Sequence, residues 1–227
     1  MQGTARIFRF NPMRDAEPHY QSYTYEFQAG MTVLDVLNLL RETQDPTLSY
    51  AWCCRNGHCG LCGITVNGKP VLSCRQAATP EEMLLEPLKN ISVRKDLIID
   101  REEYERNRPQ LRLFLERQCR AAKEPEVIDM EQFEDFKIAS RCIECFCCVS
   151  VCPEYRKKPH LFPGPAAFAL EARHFFDPRD ELGRNLLVLS EGIEHCTECG
   201  LCSKVCRLNA DPAGRIKKMR EQATRRS

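Results

Sequence analysis

The chain has 227 residues, a formal net charge of +1 at pH 7 and 43% hydrophobic residues. This balance excludes the basic footprint of a nucleic-acid-binding protein, and the length fits one large or two small domains. No apolar stretch approaches the roughly 20 residues that a membrane-spanning helix needs, so we expect any membrane association to run through a partner. Residues 1–10 lack a charged start, an apolar stretch and a cleavage site, so no signal peptide is expected.

The N-terminal part is predicted to combine strands with one helix. Alternating apolar residues predict strands over Arg6–Phe10 and Ser22–Phe27. Thr32-Val-Leu-Asp35 resembles a helix N-cap with an acidic N3 residue, and the apolar spacing that follows predicts an amphipathic helix over residues 32–42.

A hairpin is predicted next, because Gly63–Val66 and Lys69–Leu72 flank Asn67-Gly68, the pair favoured in a type I′ turn. A final strand is expected near Ile91–Val93. Two strands, a helix and a hairpin around a cysteine-rich loop describe a β-grasp domain.

The first cysteine run lies within this region and consists of Cys54, Cys59, Cys62 and Cys74. Its x4 and x2 spacing with one remote cysteine is the plant-type [2Fe–2S] pattern, and the hairpin explains how Cys74 reaches the same irons. Gly57 and Gly60 are expected to let backbone N–H groups approach the sulfurs. His58 could be a Rieske-type ligand, but because the cysteine set is complete we expect it at the surface or beside the site.

Beyond Asp100 the pattern becomes helical. A long charged helix is predicted over Arg101–Lys123, interrupted at Pro125, with an inner face made by Leu111, Phe114, Leu115 and Gln118. Further helices are predicted over Met130–Ala139, over Pro165–His174 and from Arg215 onward.

Two more cysteine runs share one spacing. The second consists of Cys142, Cys145, Cys148 and Cys152, followed by Pro153, and the third consists of Cys196, Cys199, Cys202 and Cys206. In two-cluster ferredoxins with this spacing, the fourth cysteine of each run ligates the other run's cluster. The sequence therefore predicts an α+β protein: a plant-type ferredoxin domain over 1–99 and a helical, bacterial-ferredoxin-like domain over 100–227.

Disulfides and zinc are the two other uses that such cysteines could have. Disulfides suit secreted chains, and nothing in the sequence indicates export. Zinc sites use two CxxC pairs or Cys/His mixtures and do not require a third and fourth cysteine in each run. We therefore expect one [2Fe–2S] cluster, two [4Fe–4S] clusters and a reducing, cytoplasmic environment.

The remaining cysteines, Cys53, Cys119 and Cys147, are expected to be structural. Cys53 and Cys147 adjoin ligands and are predicted to pack as small apolar neighbours, while Cys119 is predicted on a helix. Some charged residues beside the runs are expected to tune cluster potential or cap helices: Glu144, Glu194, His195 and Glu198. The basic C-terminus is either a solvated helix end or a contact with a partner subunit or an anionic membrane.

The chain resembles the iron–sulfur subunit of the succinate dehydrogenase/fumarate reductase family over nearly its whole length. The residues that carry the resemblance are Phe8-Arg-Phe-Asn-Pro12, Leu39-Leu-Arg-Glu with Asp45-Pro46, Cys54-Arg-Asn-Gly-His-Cys-Gly, Val93-Arg-Lys-Asp-Leu-Ile-Ile-Asp100, Cys142-Ile-Glu-Cys-Phe-Cys-Cys and Phe176-Asp-Pro-Arg-Asp180. The order of the two domains is also that of the family.

The resemblance implies a flavoprotein partner, which holds FAD, and a membrane-anchor or other redox subunit. It places the chain in the cytoplasm or, through those partners, on the cytoplasmic face of the inner membrane. No residue of this chain is expected to be catalytic, and no turnover is expected without the flavoprotein.

The family's third run commonly lacks its second cysteine and holds a [3Fe–4S] cluster near a quinone. Here Cys199 fills that position. One [4Fe–4S] cluster is then assigned to Cys142, Cys145, Cys148 and Cys206. The other, with a [3Fe–4S] form as the alternative, is assigned to Cys152, Cys196, Cys199 and Cys202.

Other departures concern the quinone site. Many relatives have a tryptophan shortly after the cysteine-proline pair and a histidine after the third run's first cysteine, where this chain has Glu154-Tyr155-Arg156 and Thr197. Arg207 replaces a proline, and the only tryptophan is Trp52. We therefore predict that the chain itself builds no strong quinone pocket. An alternative function is a ferredoxin-like carrier for another flavoprotein or for a heterodisulfide-reductase-type module.

Overall fold

The computed structural model describes residues 1–106, 112–117 and 127–225. The chain divides into two compact units, one formed by Met1–Tyr104 with Ile143–Val151 and the other by Glu105–Cys142 with Cys152–Ser227.

The first unit contains the strands β1 (Gln2–Arg9), β2 (His19–Glu26), β3 (Gly63–Val66), β4 (Lys69–Leu72), β5 (Met83–Glu86), β6 (Val93–Lys95) and β7 (Ile98–Ile99). Strand β1 pairs antiparallel with β2 and parallel with β5, and β3 pairs antiparallel with both β4 and β5. The sheet order is therefore β2-β1-β5-β3-β4, and β6 and β7 form a separate pair.

The helices are α1 (Val33–Thr43), α2 (Arg101–Arg106), α3 (Met130–Ala139), α4 (Cys147–Ser150), α5 (Pro153–Lys157), α6 (Gly164–Phe175), α7 (Arg184–Ser190), α8 (Leu201–Lys204) and α9 (Pro212–Arg225), with a 3₁₀ turn at Ile193–His195. The helices predicted over 32–42, over 130–139, over 165–174 and near the C-terminus are confirmed. None of these described helices has both the length and the apolar content needed to cross a bilayer.

Helix α1 begins where the sequence predicts. The Asp35 N–H donates to Thr32 Oγ1 at 3.2 Å, and the Thr32 N–H donates to Asp35 Oδ2 at 2.8 Å, so both partners of the capping box are present. The buried face of the helix consists of Val33, Leu34, Val36, Leu37 and Leu40. The Asn67-Gly68 turn is also confirmed, with both residues at positive φ between β3 and β4.

A strand does lie near the predicted place, because β6 begins at Val93, but it pairs with β7 and does not complete the main sheet. The strand that joins β1 to β3 is β5, whose Met83 and Leu85 are buried while Leu84 is only half-buried. Because Leu84 is also apolar, the two-residue alternation of this short strand is hard to see in the sequence.

The prediction of one helix over Arg101–Lys123 is wrong. Of the part of this segment that the structure describes, Arg101–Arg106 is helical and residues 112–117 are not. Phe114 and Leu115 are exposed, by 55% and 37%, so they do not form the inner face of a helix. The other residues predicted on that face, together with Cys119 and Pro125, lie outside the described residues.

The reason is a competing set of hydrogen bonds to this segment. Arg184 donates from Nη2 to the Phe114 carbonyl at 2.8 Å and from Nη1 to the Arg112 carbonyl at 3.3 Å. The Glu116 N–H donates to Asp180 Oδ2 at 3.1 Å. Backbone groups that a helix would pair within itself are therefore satisfied by a neighbouring ion pair.

A buried arginine organises the first unit. Arg9, at the end of β1, donates from Nε to Asp96 Oδ1 at 3.1 Å and from Nη2 to Thr47 Oγ1 at 2.9 Å, and it also pairs with Asp45. Asp96 is nearly fully buried and also accepts the Ser49 N–H at 2.9 Å. This network fixes the segment that leads from α1 into the first cysteine loop.

Removing this cation should destabilise the first unit strongly. Arg9→Leu leaves the buried Asp96 carboxylate uncompensated, so we expect the free energy of unfolding to fall by about 3–5 kcal/mol. Anaerobic urea denaturation followed by circular dichroism measures it. Arg94→Leu is the control, because Arg94 and Glu102 form a solvent-exposed pair worth about 0–1 kcal/mol. Equal losses in the two variants would contradict the assignment.

The second unit contains its own buried ion cluster. Arg184 forms a two-pronged pair with Asp180, at 2.9 and 2.7 Å, and donates from Nη1 to Glu171 Oε1 at 2.8 Å. Glu171 is fully buried, and its Oε2 has no hydrogen-bond partner among the described residues. One guanidinium thus pairs with two carboxylates. Burial raises the pKa of Glu171 to about 7. For Asp180, the hydrogen bonds from Arg184 and the backbone outweigh burial and lower the pKa.

The raised pKa of Glu171 predicts a pH dependence of stability. The Glu171 carboxyl keeps its proton in the folded state up to about pH 7, whereas in the unfolded state it releases the proton near pH 4.3. The contribution of Glu171 to the free energy of unfolding is therefore largest below about pH 4.3. The contribution is lost as the pH rises toward 7. We expect Glu171→Gln to flatten this slope in urea denaturation between pH 5 and 7.5, with the exposed Glu221→Gln as the control. An unchanged slope in Glu171→Gln would contradict the raised pKa.

Candidate iron–sulfur centres

The first cysteine set lies entirely in the first unit. The loop from Cys54 to Cys62 leads directly into β3, and Cys74 follows β4, so the hairpin brings the remote cysteine back to the loop. The Sγ atoms of Cys62 and Cys74 lie 3.3 Å apart, and both residues are buried. Cys54 and Cys59 are half-buried at the outer side of the loop.

The backbone of this loop turns its N–H groups toward sulfur. The N–H groups of His58 and Cys59 each donate to Cys54 Sγ at 3.3 Å. Hydrogen bonds from Asn56, His58 and Cys59 outweigh the opposing effect of burial and lower the pKa of Cys54 to about 6. The loop therefore favours the thiolate, which is the form that ligates iron.

Gly60 is required by a close approach within the same unit. Its φ is +72°, and a Cβ at this position would lie 2.0 Å from the carbonyl oxygen of Ile143. The first cysteine loop thus packs directly against the backbone of the second cysteine run. This packing explains the glycine, and the prediction that Gly60 lets N–H groups approach the sulfurs stays a prediction.

The second and third runs have the same local conformation. In each, the residue before the second cysteine and the residue after it are left-handed: Glu144 and Phe146 have φ of 54° and 60°, and Glu198 and Gly200 have φ of 55° and 74°. A one-turn helix follows in both, α4 in the second run and α8 in the third. The equal spacings in the sequence therefore correspond to equal backbone geometry.

Four cysteines of the second unit line one cavity. They are Cys152, Cys196, Cys199 and Cys202, the set assigned to the second [4Fe–4S] cluster. Apolar residues make up much of the remaining wall, including Phe162, Pro165 and Ile216. Burial raises the pKa of Cys202 to about 12 and also raises the pKa of Cys152 and of Cys196. Four soft sulfur donors facing one apolar space fit an iron–sulfur cluster.

The other four cysteines fall in both units, with Cys145 and Cys148 in the first and Cys142 and Cys206 in the second. Their assignment to one cluster therefore stays a prediction of the spacing. The thiol of Cys147 and the charge of Arg101 contribute to lowering the pKa of Cys145 to about 7, the contact with Cys147 being the larger cause. The Ala210 N–H donates to Cys206 Sγ at 3.3 Å.

The described cysteines outside the three sets, Cys53 and Cys147, differ in their exposure to solvent. Cys147 is buried, as expected for a small apolar neighbour, and His58 is exposed, as expected for a surface residue. Cys53 is exposed, so the prediction that it packs beside the cluster is wrong: the bend at residues 53–59 turns it outward. Among the described residues, no group of three or more Cys, His, Asp or Glu side chains is arranged to hold a single metal ion.

Arginines that no sequence pattern marks hold the cysteine runs. Arg173 of α6 donates to the Cys142 carbonyl, Arg220 of α9 donates to the Cys196 carbonyl at 2.9 Å, and Arg101 donates to the Glu144 carbonyl at 2.8 Å. Arg215 and Lys218 also bind Asp135, so the basic C-terminus is more than a solvated helix end. These partners lie 24 to 83 residues apart along the chain, too far for a local pattern to record them.

Comparison with known proteins gives two domain families. The family described as a 2Fe-2S iron-sulfur cluster binding domain matches residues 4–106, and the family described as a 4Fe-4S dicluster domain matches residues 138–210. In structure, the chain is similar over its full length to 97% of a chain of the Mycobacterium smegmatis Sdh1 complex in the apo form, with a TM-score of 0.89 and 25% identity.

The relatives in sequence include proteins of similar and of greater length. The chain is 36% identical over 97% of its length to a subunit of the fumarate reductase (CoM/CoB) of Methanothermobacter marburgensis, and it spans 44% of that longer protein. It is 35% identical to the fumarate reductase iron-sulfur subunit of Mycobacterium tuberculosis and 32% identical to that of Haemophilus influenzae, spanning 89% and 88% of them. The chain therefore belongs to the iron–sulfur subunits of the succinate dehydrogenase/fumarate reductase family.

Proposed function

We propose that this subunit relays single electrons between a flavoprotein subunit, which interconverts fumarate and succinate or a related pair, and a quinone- or thiol-linked partner. The observation that carries the proposal is the presence in one chain of a buried thiol site under the hairpin and a four-thiol cavity in the second unit. A bound iron–sulfur cluster accepts and donates one electron at a time.

The proposal assigns ligands to three clusters. The [2Fe–2S] site uses Cys54, Cys59, Cys62 and Cys74; the first [4Fe–4S] site uses Cys142, Cys145, Cys148 and Cys206; the second uses Cys152, Cys196, Cys199 and Cys202. We assign the first to a β-grasp, plant-type domain over 1–99 and the other two to a helical, bacterial-ferredoxin-like domain over 100–227. The sheet with α1 supports the former, and the repeated left-handed turns support the latter.

The surroundings of the thiols differ between the two sites. Backbone N–H groups favour charged sulfur at Cys54, and the apolar wall at Phe162 and Ile216 shields the four-thiol cavity. Every proposed ligand position is a cysteine, so no open position is left for a substrate. The chain would therefore transfer electrons and leave the chemistry on dicarboxylates to its partner.

The nature of the second partner follows from the third run. Cys199 lines the cavity with the other three cysteines, which supports a complete [4Fe–4S] site. By the family resemblance, Thr197 and the segment Glu154-Tyr155-Arg156 stand where many relatives have the histidine and the tryptophan of the quinone site. The complete cysteine set and these two departures favour a thiol-linked partner over a quinone-linked one, with a membrane-anchor or other redox subunit completing the complex.

Iron analysis tests the cluster assignment. Anaerobically purified protein should contain about ten irons per chain, from two, four and four. Cys199→Ser should yield a three-iron or oxygen-sensitive third cluster in electron paramagnetic resonance while the [2Fe–2S] signal persists. Cys53→Ser is the control, because Cys53 is an exposed cysteine outside the ligand sets. About two irons, stoichiometric zinc, or a Cys199→Ser spectrum identical to the wild type would refute the assignment.

Activity and co-purification test the role. The isolated full chain should show no fumarate reduction or succinate oxidation, because it offers no substrate site, and activity should appear when the flavoprotein is present. A much larger flavoprotein should co-purify with a tagged copy. Turnover by flavin-free, homogeneous protein would contradict the proposal. Recovery of another flavoprotein or a disulfide-reductase subunit would favour the carrier function instead.

A further inference from the structure

Arg220 makes two contacts with one cysteine loop. Its Nη1 donates to the carbonyl oxygen of Cys196 at 2.9 Å, and its Nη2 forms an ion pair with the carboxylate of Glu198. Both contacts lie in the second unit, between α9 and the loop that carries Cys196 and Cys199. A planar guanidinium is suited to this use, because its N–H groups point in fixed directions.

The carbonyl contact is repeated in the other run. There the carbonyl of Cys142, the first cysteine of the run, accepts from Arg173 of α6. An arginine from a long helix thus holds the first cysteine of each run at the same backbone atom. In the third run, Arg220 also forms an ion pair with the side chain of Glu198, whose backbone is left-handed.

The charges of the pair lie close to the thiols. Arg220 is hydrogen-bonded to the backbone of Cys196, and Glu198 directly precedes Cys199, so both charges belong to the loop that carries two of the four thiols. The Arg220 and Glu198 side chains are only about a quarter to a third exposed, at 27% and 32%, so solvent does not screen them fully. Neither side chain can serve as an iron ligand in place of cysteine when the four-thiol set is complete.

We infer that Arg220 and Glu198 are positioning residues of the third cluster, which fasten the Cys196–Cys199 loop to α9 and set the cluster's reduction potential by opposite charges. The inference rests on the proposed four-thiol site. Reduction adds negative charge to a cluster, so a nearby cation stabilises the reduced form and raises the potential, and a nearby carboxylate lowers it.

Redox titration of the full chain, followed by electron paramagnetic resonance, tests this inference. Arg220→Gln should lower the midpoint potential of the third cluster, because the carboxylate of Glu198 stays without its cation. Glu198→Gln should raise it, because the cation stays without its carboxylate. Arg220→Lys keeps the positive charge but loses the planar guanidinium, so the potential of the third cluster in this variant should remain close to that of the wild type. Arg225→Gln, on an exposed position of the same helix, should change nothing.

The direction of the two shifts separates this role from a purely structural one. Loss of the contact alone would move both variants in the same direction, and that result would overturn the inference, as would unchanged potentials in both. Arg220→Gln could lose the third cluster while its [2Fe–2S] signal persists, and Glu198→Gln and Arg220→Lys then decide the charge effect. A raised potential in Glu198→Gln together with a near-wild-type potential in Arg220→Lys supports the inference. Any other pair of potentials overturns it. Wild-type protein with only about six irons would overturn the four-thiol site itself and the inference with it.

Discussion

The structure depends on one constraint, which is that cysteines three to five positions apart in the chain must aim their sulfurs at one point. A strand points residues three apart to opposite faces, and a helix separates them by about 4.5 Å along its axis, so the cysteine runs adopt left-handed residues instead. This is why Glu144 and Glu198 have positive φ although they are not glycines. Such conformations cost free energy and persist only where the surroundings fix them. The arginine contacts to Glu144, Cys142 and Cys196 are the described interactions that can do so.

The same constraint explains which features the sequence could predict. The capped helix α1 and the Asn67-Gly68 hairpin have local causes, and both occur where the pattern places them. The cavity lined by Cys152, Cys196, Cys199 and Cys202 brings together the cysteines that the interlocked ligand scheme assigns to one cluster, and the cluster itself stays a prediction. By contrast, residues 112–117 bind Arg184 and Asp180, which are 64 to 72 residues away, and no helical period in the segment records these partners. Exposed Cys53 is a similar case, because its direction depends on the loop as a whole.

Each unit uses a buried arginine to join segments that are distant in sequence. Arg9 joins β1 to Thr47 and Asp96, and Arg184 joins α7 to Glu171 and to the segment at Phe114. Buried ion pairs contribute little net stability compared with apolar packing, but losing one partner is costly. Their value here is geometric, because each arginine fixes several backbone groups at once. In the first unit, those groups include the chain that leads into the first cysteine loop.

The third site shows why cluster chemistry and partner choice are linked. A site closed by four cysteines leaves the iron no position for a ligand, so an electron can pass only to a cofactor or partner that docks nearby. Cys199 and Leu201 are both exposed, and they place the edge of this site at the surface of its unit. A [4Fe–4S] cluster held by the four cysteines would generally have a lower potential than a [3Fe–4S] cluster, whereas the positive charge of Arg220 would raise the potential. Cys199, Glu198 and Arg220 would therefore together determine whether the reduction potential of the terminal cluster matches that of a quinone or that of a lower-potential, thiol-linked partner.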